Sequence, residues 1–226
     1  MQTEPNTFIC ADSIEVLREI PDKAFDLCLT DPPYGIGRFG SRIKGYKKLN
    51  EWDVKPNNFD DILRVSKYGI IWGANNFSLP STEYFIVWNK FQTIDNFASA
   101  EYAWTNYPMP AKVFDYSIHQ HNQTEKYHPT QKPIPLFVWC LLNYSKPGDL
   151  VIDPFCGSGT TALACHKTGR KFLCIDKDEE YIKIAQQRYT DLIAQQDLFG
   201  EDGAQYTSEG RGTDVQHPQV EMRLEQ

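Results

Sequence analysis

A carboxylate, two prolines and an aromatic ring follow an apolar run at Asp31, Pro32, Pro33 and Tyr34. Proline fixes the backbone and has no N–H group, so the carbonyl groups around it remain available to accept hydrogen bonds. An aromatic amino group is a poor nucleophile, because its lone pair is delocalised into the ring. If Asp31 and the Pro32 carbonyl accepted its two N–H bonds, the lone pair would be freed to attack a sulfonium methyl group. We therefore predict a catalytic site here, in which Tyr34 could stack on the substrate ring; a plain proline-rich turn is the alternative.

A second group of residues, in the sequence VIDPFCGSGTT, has the pattern of a ligand-binding loop. An apolar run ends in Asp153, and Gly157 and Gly159 let the backbone approach a ligand without an intervening Cβ. The pattern lacks the lysine of a phosphate loop, and Ala162 stands where a dinucleotide loop needs its third glycine. The next apolar run ends at Asp176, where a carboxylate can accept hydrogen bonds from both ribose hydroxyls. We predict a site for adenosine joined to an amino acid; an ordinary tight turn is the alternative.

Charge is distributed unevenly along the chain. The net charge is −7, of which residues 201–226, with six acids and two bases, contribute −4 and the remainder −3. A locally basic stripe matters more for phosphate contact than the global sum. We therefore predict nucleic-acid contacts for the flexible, glycine-rich segment from Gly35 to Asn50, with a solvated loop as the alternative. Its candidate residues are five bases uninterrupted by an acid: Arg38, Arg42, Lys44, Lys47 and Lys48.

The elements that must position these residues alternate between strand and helix patterns, which indicates a single α/β domain with a largely parallel sheet and helices on both faces. Strands are predicted at 7–10, 25–30, 68–72, 84–88, 150–153 and 171–175, and a further antiparallel pair at 100–104 and 111–116. Helices are predicted after an N-cap at Asp12 and at 57–66, 133–145, 158–168 and 178–194.

Several classes of protein and site are disfavoured by composition. The six cysteines contain no CxxC pair, so free thiols in a reducing compartment are expected. The HQH sequence at 119–121 has no third ligand nearby, so we expect no metal. No apolar run approaches the roughly 18 residues of a membrane span, and the first ten residues are unlike a signal peptide. We expect a cytoplasmic protein without a membrane partner.

Taken together, the motifs resemble those of the amino-group DNA methyltransferases. TDPPYG at 30–35 is similar to the catalytic motif of that family, whereas HPTQKP at 128–133 and DPFCGSGTT at 153–161 are similar to its cofactor half. The order, with the catalytic motif first, is that of the beta group. The resemblance covers most of residues 7–194. It implies a Rossmann-like methyltransferase fold with a seven-stranded, mostly parallel sheet that contains one antiparallel strand.

The resemblance also implies a function and a set of site residues. It implies methyl transfer from S-adenosylmethionine to the 6-amino group of adenine in double-stranded DNA, with the target base flipped out of the duplex. Asp31 to Tyr34 would form the catalytic tetrad. Around the cofactor it implies Asp12 at the adenine, Asp176 at the ribose, Thr130 and Lys132 at the methionine carboxylate, and Asp153, Phe155, Gly157 and Gly159 along the methionine. A simple helix N-cap is the alternative for Asp12, and a loop leading into a helix is the alternative for Thr130 and Lys132.

The resemblance divides the chain into one methyltransferase domain, 1–199, and an acidic tail, 200–226, that we expect to be disordered. Within the domain a catalytic half covers about 7–90 and a cofactor half about 128–199. Only 91–127 is left for target recognition, which must then be compact or shared with a partner chain such as a second copy in a homodimer. Three alternatives stay open: methylation of the 4-amino group of cytosine, which the Asp of DPPY disfavours, methylation of RNA or a protein amide, and a catalytically silent DNA-binding module.

Overall fold

The computed structural model describes residues 4–35, 54–56, 59–95, 97–122, 127 and 131–199. The predictions for Thr130, for the basic residues between Arg38 and Lys48, and for the tail 200–226 lie outside these ranges. In the part of the chain that is described, no helix is both long enough and apolar enough to cross a membrane. All six cysteines are free thiols, as predicted.

Strands and helices alternate along most of the chain. The strands are β1 (Thr7–Cys10), β2 (Phe25–Thr30), β3 (Ser66–Trp72), β4 (Phe85–Asn89), β5 (Ala100–Thr105), β6 (Lys112–Asp115), β7 (Leu150–Asp153) and β8 (Lys171–Asp176). The α-helices are α1 (Ser13–Arg18), α2 (Asp60–Arg64), α3 (Ile118–Asn122), α4 (Ile134–Tyr144), α5 (Thr160–Lys167) and α6 (Glu179–Phe199), and a 3₁₀ turn covers Ala74–Asn76.

The strands form one sheet in the order β1-β8-β7-β2-β3-β5-β4-β6. Strand β5 runs antiparallel to both of its neighbours, β3 and β4. The pairs β1–β8, β7–β8, β2–β7, β2–β3 and β4–β6 are parallel. The predicted fold, a mostly parallel sheet with one reversed strand, is therefore confirmed.

Two predictions about the sheet, its number of strands and the pairing of β5 with β6, are wrong. The sheet contains eight strands within the described residues, whereas the resemblance implied seven. Strands β5 and β6 do not pair with each other, because β4 lies between them and pairs antiparallel with β5 and parallel with β6. The physical reason is that β4 carries two buried side chains, Ile86 and Trp88, and so occupies an interior position, whereas Val113 of β6 is exposed at the sheet edge.

Both faces of the sheet are covered by helices. Neighbouring residues of a strand point to opposite faces, so Ile70 and Trp72 of β3 join the cluster that includes α4 and α5, whereas Ile71 joins the cluster that includes α1 and α2. Burial on both faces explains why Leu27–Leu29 of β2 and Ile70–Trp72 of β3 are consecutive apolar residues in the sequence.

The parallel strands bring the predicted acids to one edge of the sheet. Asp31 follows β2 directly, and Asp153 and Asp176 are the last residues of β7 and β8. Because β2, β7 and β8 are parallel and adjacent, their carboxyl ends meet at the same edge, where open α/β sheets bind their ligands. The order of the strands therefore unites two motifs that are far apart in the chain.

Candidate active site

The Asp31 carboxylate is held by two side chains. Its Oδ1 accepts a hydrogen bond of 2.6 Å from the Tyr34 hydroxyl, and its Oδ2 accepts one of 2.6 Å from the Lys132 ammonium. The same ammonium lies 3.2 Å from the Tyr34 hydroxyl. Asp31 retains 17% of its side-chain exposure, so a substrate can still reach it. Burial raises the pKa of Asp31, although the charge of Lys132 opposes that rise.

Lys132, for which the resemblance implied a cofactor contact, lies between two carboxylates. Its ammonium is 2.6 Å from Asp31 and 3.1 Å from Glu101 of β5, and its side chain is 6% exposed. Glu101 also forms an ion pair with Lys90. Burial favours a neutral amine, but Asp31 and Glu101 outweigh burial and hold the pKa of Lys132 well above its usual value. Lys132 is therefore a cation in the folded protein.

Glu101 and Lys90 were missed from the sequence. Burial disfavours the charged form of Glu101, but Lys132 and Lys90 more than compensate and lower its pKa below the usual value. An acid inside the strand pattern AEYAWT was the available signal, because a buried acid needs a partner.

Gly73 was also missed, and it makes room for the ring of Tyr34. Its φ is +67°, and a Cβ at this position would lie 2.2 Å from Cε1 of Tyr34. The ring also packs edge-to-face on Phe77, with 5.9 Å between centroids. The Tyr34 hydroxyl is thereby directed to Asp31. The stacking of Tyr34 on a substrate ring stays a prediction.

The carboxylate of Asp176 combines structural contacts with an open side. Its Oδ2 accepts a hydrogen bond of 2.9 Å from the Gly157 backbone, and its Oδ1 accepts one of 3.0 Å from the Asp178 backbone. Each carboxylate oxygen can accept a second hydrogen bond. Asp176 lines the cleft together with Asp12 and Phe155. This set of acceptors fits a ligand that presents a pair of hydroxyls.

Asp12 is the N-cap of α1, as its pattern predicted. Its Oδ1 accepts hydrogen bonds from the backbone of Ile14 at 2.9 Å and of Glu15 at 3.3 Å. The side chain also borders the cleft. The capping role does not exclude contact with a ligand, because the second carboxylate oxygen is not used by the cap.

The side chain of Asp153 connects the glycine loop, residues 154–159, to the sheet by hydrogen bonds. Its Oδ1 accepts hydrogen bonds from Thr30 at 2.7 Å and from the Phe155 backbone at 3.1 Å, and its Oδ2 accepts one from Thr161. The residue is 2% exposed, and burial raises its pKa to about 7 despite these donors. Asp153 therefore joins β2, β7 and α5 at the edge of the cleft.

The buried Asp153 should make stability depend on pH. With a folded-state pKa of about 7 and an unfolded value of about 3.9, the folded protein binds one more proton than the unfolded chain between those values. The free energy of unfolding should therefore fall as pH rises from about 4 to 7, by on the order of 4 kcal/mol from this group. The substitution Asp153→Asn keeps the shape of the side chain but removes its titration.

We expect Asp153→Asn to match the wild type near pH 4 and to become the more stable protein as pH approaches 7. Urea unfolding at several pH values measures the difference, and Asp191→Asn on the exposed face of α6 is the control. A constant difference between Asp153→Asn and wild type across this range would contradict the assignment.

Gly157 lines the cleft, whereas Gly159 packs against α6, and the cofactor contact implied for Gly159 stays a prediction. Gly159 has a φ of +82°, and a Cβ there would lie 2.7 Å from the Cβ of Ala185 in α6. Its missing side chain therefore allows close packing between the loop and α6.

A matched pair of substitutions separates this contact from backbone strain. Gly148 has a similar φ of +87°, but nothing lies within 4 Å of a Cβ there. Both Gly159→Ala and Gly148→Ala should lose stability to positive φ, whereas only Gly159→Ala also overpacks. We expect Gly159→Ala to lose about 1–3 kcal/mol more, measured as the difference in urea unfolding. Equal losses would show that the contact with Ala185 relaxes freely.

The segment before α4 links the two halves of the site. Gln131 accepts a hydrogen bond of 3.1 Å from Ser158 of the glycine loop, and the next residue, Lys132, contacts Asp31. The His121 ring contacts the Gln131 carbonyl at 2.7 Å, so one histidine of the HQH sequence supports this segment. Among the residues that the structure describes, no cluster of three or more His, Cys, Asp or Glu side chains could hold a metal.

A single cleft of about 1020 Å³ contains both motifs. Asp31 to Tyr34 line one part, with Glu101 and Lys132, and Asp176 and Gly157 line another. A carboxylate able to accept N–H bonds therefore shares one cavity with a site that fits a ribose-bearing ligand.

Comparisons with known proteins agree with this arrangement. A family model of N6 and N4 DNA methylases matches residues 81–187. The type II methyltransferase M.HinfI of Haemophilus influenzae is 27% identical over 83% of this chain and 69% of its own. The DNA adenine methyltransferase YhdJ of Escherichia coli (strain K12) is 26% identical over 82% of this chain and 83% of its own.

The fold also matches a solved structure, the M1.HpyAVI–SAM complex. The two chains are 23% identical and superpose with a TM-score of 0.53. The match covers 80% of this chain and 98% of the chain in that complex. With the family match over residues 81–187, the relatives and the two motifs in one cleft, the chain is similar to the amino-methyltransferases that act on DNA.

Proposed function

We propose that this protein transfers a methyl group from S-adenosylmethionine to the 6-amino group of adenine in duplex DNA, after the base has left the helix. The observation that carries the proposal is the cleft in which Asp31, paired with Lys132, lies with Asp176 and Gly157. The name of YhdJ, a DNA adenine methyltransferase, supports adenine, whereas the family model spans N6 and N4 enzymes. Cytosine is therefore the alternative base.

The residues on the cofactor side of the cleft fit S-adenosylmethionine, the ligand of the M1.HpyAVI–SAM complex. Asp176 would accept hydrogen bonds from the ribose hydroxyls, and Asp12 would face the adenine. Phe155 and Gly157 would border the methionine part, because both line the cleft beside Asp176. When bound, this group supplies a methyl on a positively charged sulfur.

On the catalytic side, Asp31 and the Pro32 carbonyl would accept the two N–H bonds of the target amino group. As the new N–C bond forms and the S–C bond breaks, the nitrogen becomes positively charged and must release one proton. Asp31 is the acceptor that the geometry favours, because Lys132 is already a cation. Lys132 and Tyr34 hold the carboxylate in place during this step, which is positioning with electrostatic stabilisation.

The surface that would meet the DNA lies beside the cleft. Phe91, Ile94 and Phe97, in the connection between β4 and β5, are all more than half exposed, and Phe97 lines the cleft. Apolar side chains at such a position can occupy the space that a flipped base vacates. We propose that target recognition lies within 91–127 and that the lysines and arginines of 38–48 contact phosphates.

Phe97→Ala should weaken DNA binding while leaving the affinity for S-adenosylmethionine unchanged. Loss of one stacking contact costs about 1–3 kcal/mol, which is roughly a 5- to 150-fold rise in Kd. The matched control is Phe85→Ala, because Phe85 is also an exposed phenylalanine, at 38%, but lies outside 91–127 and does not line the cleft. Fluorescence anisotropy of a labelled duplex measures both variants. Equal Kd values for the two variants would remove Phe97 from the DNA site.

A direct test of the function identifies the product. Unmethylated genomic DNA, RNA and a protein mixture are incubated with the enzyme and isotopically labelled S-adenosylmethionine, and the digests are analysed by mass spectrometry. We expect labelled N6-methyladenine in DNA. Labelled N4-methylcytosine would identify cytosine rather than adenine as the target base. Label found only in RNA or protein would overturn the proposal. Binding of cofactor and DNA without any label transfer would indicate a silent binding module.

A further inference from the structure

A continuous row of alternating charges runs behind the catalytic carboxylate. Lys90 at the end of β4 contacts Glu101 of β5, Glu101 lies 3.1 Å from Lys132, and Lys132 lies 2.6 Å from Asp31. All four side chains are only 6–23% exposed, so solvent screens their interactions weakly. The row contains two cations and two anions, and each inner member has a partner of opposite charge on both sides.

We infer that Glu101 is a positioning residue that shares the ammonium of Lys132 with Asp31 and so preserves the strength of Asp31 as a hydrogen-bond and proton acceptor. This inference rests on the proposed function. Glu101 contacts Lys132 rather than the reacting atoms, and its effect on the reaction is carried through that ammonium.

Asp31 and Glu101 compete for one cation, the ammonium of Lys132. An ammonium bound to Asp31 alone would compete with the substrate N–H group and weaken the carboxylate as a proton acceptor. Glu101 offers the ammonium a second carboxylate, and Lys90 keeps Glu101 ionised. When the substrate amino group donates to Asp31, Lys132 can shift towards Glu101 without becoming a buried unpaired charge, which would be costly.

The charges around Asp31 give this coupling a measurable sign. Lys132 lowers the pKa of Asp31, whereas Glu101 raises it. The Tyr34 hydroxyl also lowers it by its hydrogen bond, and the buried Asp153 interacts with Asp31 as a like charge. Removing the charge of Glu101 should therefore lower the pKa of Asp31. Removing the charge of Lys90, which favours the ionised form of Glu101, should lower the pKa of Asp31 by a smaller amount.

The test compares Glu101→Gln with Lys90→Gln in single-turnover methyl transfer to duplex DNA across pH, which isolates the chemical step from product release. For Glu101→Gln we expect a rate about tenfold lower than that of the wild type at neutral pH, as for a weakened general base. The acidic limb of its pH–rate profile, where Asp31 becomes protonated, should lie at lower pH than in the wild type. For Lys90→Gln we expect a smaller shift of the acidic limb in the same direction. The affinity for S-adenosylmethionine should stay unchanged in both, and Glu83→Gln, an exposed acid before β4, is the control.

Two results would overturn the inference: an acidic limb that stays in place in both variants, as a merely structural ion pair predicts, or a limb that moves to higher pH in either variant. If Glu101→Gln does not fold, Lys90→Gln alone decides the sign. If the wild-type protein transfers no methyl group to DNA, the proposed function fails. The ¹³C carboxyl shift of Asp31, titrated in wild type and variants, then tests the coupling independently of activity.

Discussion

Replacement of Asp31 by alanine is expected to lower the single-turnover rate of methyl transfer by about 10²- to 10³-fold, the usual cost of one preorganised group that stabilises transition-state charge. The affinity for S-adenosylmethionine should change only slightly, because the acceptor role proposed for Asp31 would be exerted in the transition state. Lys132 keeps Glu101 as a partner at 3.1 Å in this variant, so the fold should survive. Rapid-quench assays and calorimetric titration measure the two quantities.

The control is Asp26→Asn, which removes an acid from the same strand, β2, but from the end that pairs with Lys67 at 2.7 Å. It should leave the rate unchanged. Asp31→Asn adds a finer comparison, because it keeps one acceptor oxygen but no negative charge, and its rate should also be far below that of the wild type. A normal rate in Asp31→Ala would remove this residue from the catalytic site.

Asp176→Ala is expected to weaken the binding of S-adenosylmethionine by roughly 5- to 150-fold, because ribose hydroxyls left without an acceptor cost about 1–3 kcal/mol. The rate at saturating cofactor should fall much less. Calorimetric titration gives the Kd, and Asp191→Asn, at an exposed acid of α6 that does not line the cleft, is the control for the loss of one negative charge.

A ligand without the two ribose hydroxyls separates a ribose contact from loosening of the loop, since Asp176 also holds the Gly157 backbone at 2.9 Å. The wild type should bind the 2′,3′-dideoxy form of S-adenosylhomocysteine more weakly than the parent compound. Asp176→Ala should bind the two with similar affinity. If the variant still discriminated between them as the wild type does, Asp176 would serve only the loop.

The sequence by itself determined most of the elements and the edge at which the site lies. The apolar runs that end at Thr30, Asp153 and Asp176 predicted β2, β7 and β8 closely. A strand that is buried on both faces can be recognised from a short run of apolar residues. Parallel pairing then requires their carboxyl ends to meet. Helix ends were predicted less well: α6 runs on to Phe199 rather than ending near Ala194, since in its last turns nothing local, such as glycine or proline, stops it.

Only the tertiary structure decided the contacts between distant segments. The position of β4 between β5 and β6 depends on which strand has both edges covered, and spacing along the chain does not encode this. The contacts of Lys132 with Asp31 and Glu101, and of Gly159 with Ala185, likewise join residues from different elements. A motif indicates which chemical groups are present, but the partner that sets the charge of a buried group is chosen by packing across the sheet.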